Sequence, residues 1–155
     1  MTGTNATRIR RLSFGERGTA IVETALTLPL ILLVSVGIFE FGRAYKTWQV
    51  ITNAAREGAR LAVLPNSSSG DVQTRVRDYL EAGQLPSAMA AEVLVDRNAS
   101  LSIGAGTASA SQVTVNYPFA FMVLQPVANL VVSGSTLGSA PITMTAAAEM
   151  RNEAQ

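Results

Sequence analysis

The chain has 155 residues, of which 48% are hydrophobic and 15% charged, with a net charge of +1. That length predicts one domain with an appendage, and that apolar content excludes wholesale disorder. Cysteine and histidine are both absent, which excludes disulfides, thiol catalysis, cysteine-based metal sites and a Ser-His-Asp triad. The near-neutral balance gives no global basic field for nucleic acid.

Residues 1–18 form a polar, basic leader with Arg8, Arg10, Arg11 and Arg17 against Glu16. Residues 19–39, TAIVETALTLPLILLVSVGIF, carry one charge, Glu23. A helix of that length spans about 30 Å, the thickness of a bilayer's hydrocarbon core, so the segment is predicted to cross a membrane. Four arginines precede it, while Glu40, Arg43 and Lys46 follow. That bias predicts an N-terminus in the cytoplasm and an extracytoplasmic remainder.

The helical period continues beyond the span. From Phe41 onward, Ala44, Tyr45, Trp48, Ile51, Ala55, Ala59 and Ala62 form one stripe in steps of three and four, opposite Arg43, Lys46, Gln49, Asn53, Arg56 and Arg60. Residues 40–64 are thus an amphipathic continuation of the apolar helix. It ends at Leu64, ahead of Pro65. Pro29 lies inside the helix and removes one backbone hydrogen bond, which predicts a kink. Tyr45 and Trp48 are either anchors at the membrane interface or contacts of the helix with a core.

Residues 66–155 are expected to form an extracytoplasmic α+β domain. NSSSG at 66–70 is a loop. A short amphipathic helix follows, opening at Asp71 and closing before Gly83, with Val72, Val76, Tyr79 and Leu80 on one face. AEVLVD (91–96) and SLSI (100–103) read as two strands, and 102–111 reads as a turn or loop. QVTVNYPF (112–119) alternates as a strand, FAFMVLQPVANLVV (119–132) reads as core or loop, and PITMTAAAEM (141–150) is a closing strand. Helices followed by strands predict a small antiparallel sheet against the long helix.

Three side-chain groups invite functional readings. Ala54, Gly58 and Ala62 make a small-residue surface for close helix packing, either with another helix or with the chain's own sheet. Asp78 and Glu81 could suggest acid–base chemistry, but beside Arg75 and Arg77 they read as a solvated helix face. Glu23 is the third. A charge inside an apolar span is costly and marks a functional position.

The junction ERGTAIVET resembles the processing site of type IV prepilins, with a glycine shortly before a glutamate at the head of an apolar helix. The resemblance implies that a prepilin peptidase cuts between Gly18 and Thr19, and that Glu23 pairs with the new terminal amine of a neighbouring subunit. Over a longer stretch, GTAIVETALTLPLILLVSVGIFEFGRAYKTWQVITNAAREGARLAV resembles the TadE-like family, pseudopilins or minor pilins of the Flp (tight adherence) pilus. VTVNYPF and ITMTAAAEMRNE extend the likeness. One position departs from the pattern: Flp-type sites usually carry an aromatic after the glutamate, and Thr24 stands here.

The resemblance implies a non-enzymatic subunit with no cofactor, no nucleic acid and no small-molecule substrate. Its expected partners are the prepilin peptidase, other pilin or pseudopilin subunits, the pilus assembly platform and the inner membrane. Two other readings fit the residues. One is a membrane-anchored binding or scaffold module unrelated to pili. The other is a cleaved secretory signal cut after Ser35-Val36-Gly37, before Ile38.

Overall fold

A computed structural model of the chain describes residues 16–104, 106–136 and 139–152. Most of the basic leader, including Arg8, Arg10 and Arg11, lies outside the described residues. The elements in order are α1 (Glu16–Ala62), α2 (Ser69–Ala82), a single 3-10 turn (Ala88–Ala90), β1 (Glu92–Ile103), β2 (Gly106–Phe119), α3 (Leu124–Val131) and β3 (Ile142–Arg151). The sheet is antiparallel with strand order β1-β2-β3. The architecture is α+β: one long helix packed on a small antiparallel sheet.

α1 is a single helix of 47 residues that continues through Pro29. It starts at Glu16, so the last residues assigned to the leader are already helical, and it closes at Ala62 rather than Leu64. Closure is local. The Leu61 carbonyl accepts both the Leu64 amide at 3.1 Å and the Ser67 hydroxyl at 2.8 Å. Asn66 then takes a left-handed backbone, with φ of 68°.

The C-terminal half of α1 supplies the core. Ile51, Ala54, Ala55, Ala59 and Ala62 pack with Val72, Val76 and Leu80 of α2 and with Val113, Val115, Tyr117 and Phe119 of β2. The alternation predicted for β2 holds, and the buried set faces α1 and α2. Tyr79, expected on the buried face of α2, is exposed instead; Val72, Val76 and Leu80 suffice to fill it.

α2 opens with a capping box. Ser68 is the cap, its hydroxyl accepts the Asp71 amide at 3.1 Å, and its own amide donates to the Asp71 carboxylate at 2.8 Å. The acidic residue expected to open the helix therefore sits inside its first turn. At the other end Gly83 has an ordinary φ of −73°, and the left-handed residue is Gln84. Gly83 is there for room: a Cβ on it would come within 2.5 Å of Val50.

Three expectations are corrected. β1 is one strand rather than two. Between Asp96 and Ala99 its pairing advances three residues while β2 advances two, from Gln112 to Ala110. The extra residue is a β-bulge, and the Asn98 amide bonds the Asp96 carboxylate at 2.9 Å within it. The stretch 102–111 is mostly strand, since Gly106 pairs with Ile103 directly across the hairpin. Residues 119–132 contain a helix, α3, where core or loop was expected.

Candidate functional site: the bare apolar helix and its junction with the domain

No residue from Gly18 to Phe39 on α1 is buried, and none belongs to the core cluster of the domain. Its most apolar window has a mean hydropathy of 2.2 and is entirely unburied, so by length and composition this helix can cross a membrane. Ile21, Val22, Leu26, Leu30, Ile31, Val34 and Ile38 are all exposed. An apolar surface of that extent requires lipid or other helices around it. The polar side chains within it are largely folded back. Thr24 donates to the Ala20 carbonyl at 2.8 Å, Thr27 to Glu23 at 3.0 Å and Ser35 to Ile31 at 2.8 Å, so these hydroxyls present no unmet donor outward.

Gly18, Thr19 and Glu23 lie on consecutive turns of one helix, with Val22 and Leu26 beside them. Glu23 is exposed, and among the described residues it forms no ion pair. Among the described residues, nothing lies within 4 Å of a Cβ built on Gly18. The glycine is thus helical and open on its flank.

The small-residue surface faces inward. Ala54, Gly58 and Ala62 are buried, and a Cβ on Gly58 would meet Val76 at 2.6 Å and Val113 at 3.1 Å. Of the two packing partners considered for these residues, the one in place is the chain's own α2 and β2. Asp78 and Glu81 are exposed. Arg75 does not serve them. It reaches across to Glu57 on α1 at 2.9 Å, where Arg60 also bonds at 2.9 Å. The two guanidiniums hold the Glu57 carboxyl well below its usual range, at about 2.

The junction contains a residue that sequence reasoning passed over. By sequence Glu40 is only a charge flanking the span, yet in the fold it is 2% exposed. Its Oε1 accepts the Met122 amide at 2.8 Å and the Val123 amide at 2.6 Å, and its Oε2 pairs with Arg43. Arg43 in turn lies over the Phe119 ring, 5.1 Å from its centroid, and reaches the Ala120 carbonyl. Phe119 meets Phe121 edge to face at 5.4 Å. One carboxylate therefore fastens the end of the apolar half of α1 to the loop entering α3.

The inward stripe of α1 runs Glu40, Ala44, Thr47, Ile51, Ala54, Ala55, Gly58, Ala59 and Ala62. The stripe inferred from sequence was rotated from this one because it followed the aromatics. Tyr45 and Trp48 are 54% and 48% exposed and stack at 6.5 Å on the outside of the helix, so they are not core contacts. Following the small residues instead would have led through Thr47 and Ala44 to Glu40.

Fold and junction together define a class: an α+β domain whose core helix extends into a bare apolar segment long enough to cross a membrane. Residues 18–60 match the family model described as TadE-like protein, the family whose likeness the sequence carries. The match begins at Gly18 and takes in Glu23, Glu40, Arg43 and Gly58. No curated protein and no solved structure matches the chain.

Proposed function

We propose that this protein is a pseudopilin or minor pilin that takes part in assembly of Flp (tight adherence) pili. A prepilin peptidase cuts it after Gly18, leaving Thr19 as the new terminus. It sits in the inner membrane by residues 19–39, N-terminus inside, with the domain on the extracytoplasmic side, and it enters the pilus by packing that helix against other pilin-like helices. Other subunits and the assembly platform are its partners, and it catalyses nothing.

The observation that carries this reading is Glu23, exposed on a bare apolar helix five positions after the glycine at which the family match opens. In a bundle of such helices, a neighbour's Thr19 ammonium and the Glu23 carboxylate offset each other's burial cost. A lipid-facing anchor alone has no use for that carboxylate.

The test is the mature N-terminus of membrane-extracted protein, by intact mass and terminal sequencing, with and without a prepilin peptidase. A peptidase-dependent start at Thr19 is expected. A start at Ile38 would make the chain an ordinary secreted domain, and an uncut chain would make it an anchored module outside the pilus pathway.

A further inference from the structure

The chain that runs through β2 and α3 into β3 is chemically unlike the rest of the domain. No charged residue occurs between Arg97 and Glu149, so all of β2 and α3 and most of β3 are electrically neutral. Within that stretch, Met122 is 66% exposed, Val132 61% and Ile142 46%. All three lie in or beside the segment that Glu40 pins. Met122 gives its amide to Glu40, Val132 closes α3, and Ile142 pairs with Phe119, the last residue of β2. Glu40 directly follows the span at 19–39. The pinned loop therefore stands level with the span's outer end, and Phe41 is exposed there on α1 itself.

Arg43, paired with Glu40, reaches the Ala120 carbonyl beside this loop, and Lys46 follows one turn on along α1. A short apolar helix, exposed methionine and branched side chains, and long cationic stems at one level are the composition of an element lying in a membrane interface. We infer that the Met122–Val132 segment, with Ile142, seats the domain on the lipid surface beside its own transmembrane helix. The inference rests on reading residues 19–39 as a membrane span. Its ligand is the bilayer's headgroup–acyl boundary, and Glu40 sets the depth at which the domain meets it.

The chain has no cysteine, so single-cysteine probes report without background. M122C, V132C, L28C and T74C in the full chain would each carry a polarity-sensitive fluorophore. The labelled proteins would be reconstituted into liposomes and exposed to aqueous iodide or to nitroxide-bearing lipid. Thr74 is exposed on α2, which packs at Gly58 of α1, about 27 Å further along the helix than Glu40.

Positions 122 and 132 are expected to behave like position 28, quenched by the lipid nitroxide and at least about fivefold less by iodide than position 74. If position 28 is lipid-quenched while 122 and 132 follow position 74, the seating is wrong and the span stands. If position 28 is itself open to iodide, the span fails and the seating with it. If 122 and 132 are shielded from both quenchers, protein covers them and the lipid proposal is overturned. I142C gives an independent second reading, from the start of β3.

Discussion

Glu40 accepts the Val123 amide at 2.6 Å although 83 positions of chain separate them. Val123 is the cap residue of α3, and its own side chain supplies no capping bond. α1 thus provides from a distance what the glutamate of a capping box provides locally, an acceptor for the cap residue's own amide. The carboxylate is also the partner of Arg43, so a single buried group serves two amides and a guanidinium.

Removing it should be expensive. Glu40→Ala leaves two amides without their acceptor and Arg43 without its carboxylate, and breaking a buried pair of this kind costs about 3–5 kcal/mol. Glu40→Gln keeps one carbonyl acceptor and should cost less than half as much. Thermal unfolding of the detergent-solubilised protein gives the ranking. Equal melting temperatures for the wild type and Glu40→Ala would show that the clasp contributes nothing to stability.

Two glycines of α1 should respond in opposite directions. Gly42 has open space where a Cβ would stand, so Gly42→Ala should gain up to about 1 kcal/mol in helix propensity. Gly58→Ala gains the same propensity but drives a methyl into Val76, and overpacking of this sort costs about 1–3 kcal/mol. Denaturant midpoints of the two variants, compared with wild type, should fall on either side of it.

Glu57 makes the domain sensitive to acid. Its carboxyl is held at about 2, below its ordinary 4.5, chiefly by the Arg60 hydrogen bond and then by Arg75. A depressed carboxyl stabilises the fold fully above the unfolded value and loses that contribution as pH falls from about 4.5 through about 2. Both arginines are more than half exposed, so the contribution is on the order of 1 kcal/mol. Glu57→Gln should therefore lower the melting temperature at pH 7 and leave it unchanged near pH 2. An equal deficit at both pH values would assign the loss to packing rather than charge.

Glu23→Ala should leave membrane insertion and domain stability as they are, because the side chain touches none of the domain's core. Pilus assembly should fall sharply. Insertion is read by alkaline extraction of membranes and assembly by recovery of sheared pili; normal pili with this variant would sink the pairing role of Glu23.

The parts of the fold visible in the sequence are those whose signals are local. The apolar run, the alternation of β2 and the period of α2 each lie within a dozen or so neighbouring residues. The parts that were missed are held by distant partners. α3 carries no side-chain cap, and the acceptor for its cap residue's amide comes from Glu40 on α1. The β1 bulge is defined only by its pairing with β2, so Arg97 and Asn98 looked like a break between strands. Glu40 escaped notice for a related reason: an acidic residue beside an apolar run reads as a boundary, and only the fold returns the α3 loop to it. Gly18, Thr19 and Glu23 can be singled out by spacing alone because they lie along one uninterrupted helix.

That continuity gives the molecule a fixed angular register. The helix bearing Glu23 is also the helix whose far half fills the core, so the azimuth of the carboxylate about the axis is set relative to the sheet. Each residue of an α-helix turns about 100° and rises about 1.5 Å. One residue inserted between Glu23 and Glu40 would barely deepen the anchor, yet it would swing the carboxylate more than a quarter turn away from its former heading. A neighbour that meets the domain by one face would then find the charge pointing elsewhere, and an insertion of about seven residues, close to two full turns, would bring it back to within about 20°.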